Sequence, residues 1–90
     1  MQVAFSDGFA DDTAVIRVDG AEAWRGDDLT TRTQISHAGS AEVEADEGAL
    51  VEVEVPTQGL AAELEQQPYV VVAIADGGLQ VSYPEQLGFA

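Results

Sequence analysis

Hydrophobic and acidic residues alternate through residues 41–55 (AEVEADEGALVEVEV), on both sides of a central Asp46-Glu47-Gly48. Strict alternation is the mark of a strand with one buried and one wet face. Asp-Glu-Gly between two such runs predicts a three-residue hairpin loop with Gly48 in the left-handed region. The register that follows sets Ala45 against Ala49, Val43 against Val51 and Ala41 against Val53. Glu42 then stands opposite Glu52, on a water-facing acidic ladder backed by an Ala/Val face.

The same period recurs along the chain. Gln2 to Phe5 reads as a short edge strand, broken by Ser6-Asp7-Gly8. Residues 13–18 (TAVIRV) form a β-branched strand, and Asp19-Gly20 predicts a two-residue type I′ turn. Continued without interruption, that hairpin sets Val18 against Ala21, Arg17 against Glu22, Ile16 against Ala23 and Val15 against Trp24. Ala14, Ile16 and Val18 then share one face, and Val15 and Trp24 the other. Residues 25–28 read as a turn, 29–35 (LTTRTQI) as a strand, and 56–59 (PTQG) as a turn. Residues 60–65 (LAAELE) have a helical composition, but their shortness between two breakers favours a strand.

Tyr69 to Ala75 (YVVVAIA) is apolar on both faces, as a central strand should be. A Gly77-Gly78 turn pairs Ile74 with Val81 and Val72 with Tyr83. Val70, Val72 and Ile74 then face the core. Val71, Ala73 and Ala75 point the other way, beside Gln80 and Ser82, and this second strip needs a cover. The tail, through Leu87 and Phe89, is one candidate and a second subunit is the other. About seven to nine short strands, with turn signals between them, predict one domain over residues 1–90. Its fold class is all-β, a small antiparallel β-sandwich.

A resemblance rests on three stretches: Gly20 at a hairpin after VIRV, then EVEADEGALVEVEVPTQGL, then the late strand PYVVVAI. Their order, from Ala41 on, resembles the prealbumin-like sandwiches, with carboxypeptidase regulatory-like domains the nearest comparison. Gly59-Leu60 stands where those domains usually have Gly-Tyr, and Thr30-Thr31-Arg32 lacks their usual Thr-Asp-x-x-Gly. The resemblance implies a β-sandwich that serves as a non-catalytic accessory or adhesion module.

Charge changes the picture of partners. Seventeen acidic residues face three arginines (Arg17, Arg25 and Arg32) and no lysine, for a net charge of −14. Nucleic acid needs a basic footprint and is excluded as a partner; an anionic membrane would repel this surface. A hydrophobic content of 46% with strand-period alternation argues for a folded chain, not a disordered one. Two explanations of the acidity stand side by side: adaptation to high salt, where self-repulsion is screened, or a cationic partner. There is no cysteine. That suits a reducing compartment, so the cytoplasm is the expected location, with a fragment of a larger or secreted protein left open. No signal-peptide pattern is visible in MQVAFSDGFADD, and the longest apolar run is too short to span a bilayer.

Candidate chemistry is sparse. His37 is the single histidine, beside Ser36 and Ser40, with no Gly-x-Ser-x-Gly elbow anywhere. The acids fall on alternating, solvent-type positions that do not raise a carboxyl pKa for catalysis. Neither an enzyme nor a cofactor is expected. Asp7, Asp11 and Asp12 in SDGFADD offer carboxylates to Ca²⁺ without EF-hand spacing; the plainer reading is two acidic turns. Arg25-Gly26-Asp27 matches an adhesion tripeptide but is read as part of a turn. Trp24, with Val15, is either a stacking platform for a sugar or partner, or a core residue. The function expected is therefore a non-catalytic binding or assembly module working through sheet faces or edges, with a protein partner or a homo-oligomer. A Ca²⁺-dependent or carbohydrate-binding accessory domain is the alternative.

Overall fold

Two Asp-Gly turns fix the local geometry. Asp19 and Gly20 have φ of 51° and 83°, and Asp76 and Gly77 have φ of 52° and 75°. Positive φ at both central residues is the type I′ geometry, whose twist matches that of the flanking strands. The second turn is thus Asp76-Gly77, not Gly77-Gly78. Ile74 pairs with Leu79 and Val72 with Val81. Tyr83 lies beyond the last strand, partly exposed, its hydroxyl accepting the Glu65 N–H at 3.0 Å.

The structure is a computed structural model that describes residues 1–32, 34 and 37–85. Among them are eight strands: β1 (Gln2–Phe5), β2 (Asp12–Val18), β3 (Ala21–Leu29), β4 (Gly39–Glu42), β5 (Val51–Val55), β6 (Leu60–Leu64), β7 (Tyr69–Ala75) and β8 (Gly78–Ser82). They form two four-stranded sheets packed as a sandwich, sheet I in the order β4-β1-β7-β8 and sheet II in the order β3-β2-β5-β6. The fold is all-β, as expected. One pairing departs from antiparallel: β1 runs parallel to β7.

The alternating stretch 41–55 does not close into a hairpin. Its first half, β4, pairs with β1 in sheet I, and its second half, β5, pairs with β2 and β6 in sheet II. Alternation specifies which side of a strand is buried, and two facing sheets satisfy it as well as one ribbon does. Ala41 and Val43 enter the core from one side, Val51, Val53 and Val55 from the other. The crossing segment finds its hydrogen bonds elsewhere. The Gln66 amide donates to the carbonyls of Asp46 (2.8 Å) and Ala49 (3.0 Å). Asp19 donates its N–H to the Leu50 carbonyl at 2.8 Å, and its carboxylate accepts the Leu50 N–H at 3.0 Å. Glu42 therefore pairs with Gln2, and Glu52 lies between Arg17 and Glu63.

Three further expectations are corrected. β1 is a central strand, not an edge: it is paired on both sides, and Val3, Ala4 and Phe5 are all fully buried. Residues 25–28 are not a turn but the continuation of β3, which ends at Leu29 with Asp28 in the left-handed region (φ 58°). The strand expected over 29–35 is therefore absent among its described residues, where Arg32 makes only an isolated bridge to His37. Thr33, Ile35 and Ser36 lie outside the described residues, as do Leu87 and Phe89 of the proposed tail cover.

The β2–β3 hairpin carries the correction that matters most for function. Arg17 pairs with Glu22 as expected, but Ile16 pairs with Trp24, with a register shift between them. Two residues, Glu22 and Ala23, thus oppose Arg17 in a β-bulge. One extra residue moves everything beyond it to the opposite face. Trp24 accordingly turns inward and stacks on Phe5, centroids 5.3 Å apart and planes 17° apart. Phe5 in turn meets Phe9 edge-on at 5.5 Å. The Trp24 ring also lies against Gly26, where a Cβ would collide with it.

Candidate functional site

The register places whole rows of side chains across each outer face. On sheet II one row reads Glu22, Arg17, Glu52, Glu63 and the next reads Arg25, Val15, Glu54, Ala61. Arg17 reaches Glu54 at 3.5 Å, and Arg25 reaches Glu22 at 3.8 Å and Asp27 at 3.5 Å. Every one of these side chains is at least a third exposed, so each pair contributes no more than about 1 kcal/mol. Arg17 and Glu22 stand opposite each other as the register predicts, but each forms its ion pair with another residue, Glu54 and Arg25. Val15 is buried on this outer face, flanked and shielded by long charged neighbours.

Sheet I presents a different surface. Its middle row reads Ser40, Ala4, Val71, Ser82, and beside it Ala73 pairs with Gln80. Ala75 pairs with Gly78 at one end, and at the other a row runs Glu42, Gln2, Tyr69. Glu42 at the corner is the only charge on these rows. Val71, Ala73 and Ala75 are half-buried, and the face has small side chains throughout its centre. Sequence reasoning found the β7 and β8 half of this face. It does not reach Ala4 and Ser40, because no local pattern marks β1 as a central strand or pairs it with β4.

The structure does not bring Val15 and Trp24 together. They lie on opposite sides of sheet II, and the shared platform expected for them is withdrawn because the bulge at Ala23 separates them. Nor do Asp7, Asp11 and Asp12 converge: among the described residues, no group of three or more His, Cys, Asp or Glu is placed to hold a metal ion. Asp7 is exposed and uses its backbone carbonyl to accept the Ile74 N–H at 2.8 Å. Asp11 is held in the left-handed region (φ 54°), its N–H donating to the Thr30 hydroxyl at 3.0 Å.

Asp12 has a role that the pattern SDGFADD does not reveal. It is only 2% exposed, and its carboxylate accepts the Ala10 N–H at 2.9 Å, the Thr57 hydroxyl at 2.7 Å and the Gln58 amide at 3.3 Å. Burial pushes the carboxyl up, but the hydrogen bonds from Ala10, Thr57 and Gln58 outweigh it and hold the group below its ordinary value. Asp12 thus fastens the start of β2 to the β5–β6 turn. That contact joins residues far apart in sequence, and no local pattern announces it.

Among the described residues no helix is long and apolar enough to cross a membrane. No family model, no curated protein and no solved structure matches the chain.

Proposed function

We propose that this chain is a non-catalytic β-sandwich module that binds or assembles with protein through the outer face of sheet I. One observation carries the reading. In a chain of net charge −14, the central rows of one outer face hold no charge at all, whereas the other outer face is covered with Glu and Arg. A surface left free of charge in so acidic a chain is one that a partner can approach without desolvating ions. The resemblance to prealbumin-like accessory modules supports the same class. The surplus of acid fits work at high salt, and the lack of cysteine fits a reducing compartment such as the cytoplasm.

Hydrophobic-interaction chromatography tests the reading. Retention of the wild-type chain at high salt should fall when sheet I is charged by Ser82→Glu or Val71→Asp. It should not change with Ala61→Glu on sheet II. Equal retention of all four proteins would end the proposal, because the adhesive surface would then lie elsewhere.

A further inference from the structure

We infer that Asp76 is a self-modification site: its side chain condenses with the backbone nitrogen of Gly77, and the ring reopens to leave isoaspartate in the β7–β8 turn. The modification is independent of the binding role proposed for sheet I.

The chain holds three Asp-Gly pairs, Asp7-Gly8, Asp19-Gly20 and Asp76-Gly77. Glycine has no side chain to shield its nitrogen or restrict its rotation. The chemistry needs only the chain and water. The glycine nitrogen gives up its proton and bonds to the side-chain carbon of the protonated aspartic acid, whose hydroxyl leaves with a proton as water. The product is a cyclic succinimide. Water then adds to one of its two carbonyl carbons and breaks the bond from that carbon to the ring nitrogen, which takes back a proton. Opening at the side-chain carbon regenerates aspartate. Opening at the backbone carbon leaves isoaspartate, with the chain running through the former side chain. No oxidant or reductant enters, and the mass is unchanged.

Three identical dipeptides are ranked by what holds them. Ring closure swings the carboxyl and the Asp-Gly peptide toward each other, so a turn that is free to open reacts and a tethered one does not. Asp7-Gly8 is fixed against β7. The Asp7 carbonyl accepts the Ile74 N–H at 2.8 Å, and a Cβ on Gly8 would collide with the Ile74 carbonyl. Asp19-Gly20 and Asp76-Gly77 are a matched pair. Both aspartates are exposed, and their φ angles with those of the following glycines are 51° and 83° in one turn, 52° and 75° in the other. A Cβ on either Gly20 or Gly77 would meet nothing. The two turns differ in their tethers. Asp19 donates its N–H to the Leu50 carbonyl at 2.8 Å, and its carboxylate, the reacting group itself, accepts the Leu50 N–H at 3.0 Å. Among the described residues no hydrogen bond or ion pair holds the Asp76 side chain.

The position gives the modification its effect. Isoaspartate puts an extra carbon into the backbone of a two-residue turn that relies on positive φ at both positions. Among the described residues β7 is the only strand paired with β8, and this turn sets the register between them. Conversion therefore loosens Leu79 and Val81, which pack against the core.

Incubation of the wild-type protein in heavy-oxygen water, at mildly acidic pH and body temperature for several weeks, tests the inference. Each succinimide that reopens acquires one heavy oxygen, and electron-transfer fragmentation of the digested chain tells isoaspartate from aspartate. Label and isoaspartate should accumulate at Asp76 at least about tenfold faster than at Asp19 or Asp7. In guanidinium, where the tethers are gone, the three sites should react at similar rates. Equal rates in the folded protein, a faster reaction at Asp7 or Asp19, or no label at Asp76 overturns the inference. So does a preference for Asp76 that persists unchanged in guanidinium, because local sequence would then set it. The converted protein, separated by ion exchange, should melt below the unconverted; identical melting would overturn the effect on β8.

Discussion

Asp12 ties residues of three different elements through one carboxylate, and its protonation should be read directly in stability. Its folded pKa is lowered, while an unfolded aspartate titrates near 3.9. Between those values the unfolded chain binds more protons than the folded one, so stability rises with pH across that window. The contribution is complete above roughly pH 5 and is lost as pH falls through the folded value. Asp12→Asn keeps the shape but leaves one acceptor oxygen where two serve Ala10, Thr57 and Gln58, and it removes the charge. It should cost about 1–3 kcal/mol at pH 7 in urea unfolding. Because the other carboxylates titrate in both proteins, the difference between wild type and variant isolates Asp12. That difference should shrink below about pH 4; a constant difference down to pH 2.5 would mean that the carboxylate charge is not what matters. None of this was legible from SDGFADD, where three aspartates look alike. What separates Asp12 from Asp7 and Asp11 is the arrival of Thr57 and Gln58 from a distant turn.

Elements were more legible than their partners. The runs expected to be strands within 13–18, 60–65 and 69–75 are strands, because short apolar or β-branched stretches bounded by turn residues are written locally. Pairing is not. The runs at 41–45 and 49–55 have a turn between them and matched faces, yet they serve different sheets, because Met1 and β1 claim β4 while β2 claims β5. The bulge at Ala23 is equally silent, since no glycine or proline marks it. It nevertheless decides whether Trp24 is a surface platform or part of the Phe5–Phe9 cluster. Deleting Ala23 leaves Trp24 opposite Ile16 in a regular hairpin and should be tolerated within about 1 kcal/mol. Inserting one alanine after Ala23, with the bulge kept, sets Trp24 opposite Val15 and expels it to the outer face. Removing so large an aromatic from its cluster should cost about 3 kcal/mol or more. As the only tryptophan, Trp24 reports the change itself: its emission should stay blue in the deletion variant and move to the red in the insertion variant. The opposite pattern would place the ring outside the core.

At the scale of the whole molecule, the two sheets divide the work. Both contribute to one core through Val3, Phe5, Val70 and Val72 on one side and Ile16, Val51, Val53 and Val55 on the other. Their outer faces diverge, one carrying Glu22, Glu52, Glu54 and Glu63, the other almost uncharged. Composition gave the acidity but not its partition, which needs the register of all eight strands. Amide NMR with a cationic nitroxide, set against a neutral one, tests that partition most directly. The cation should broaden the amides of Glu52, Glu54 and Glu63 more than the neutral probe does. It should broaden those of Val71, Ala73, Gln80 and Ser82 no more than the neutral probe does. A cation that favours both outer faces equally would contradict the assignment of sheet I as the uncharged face.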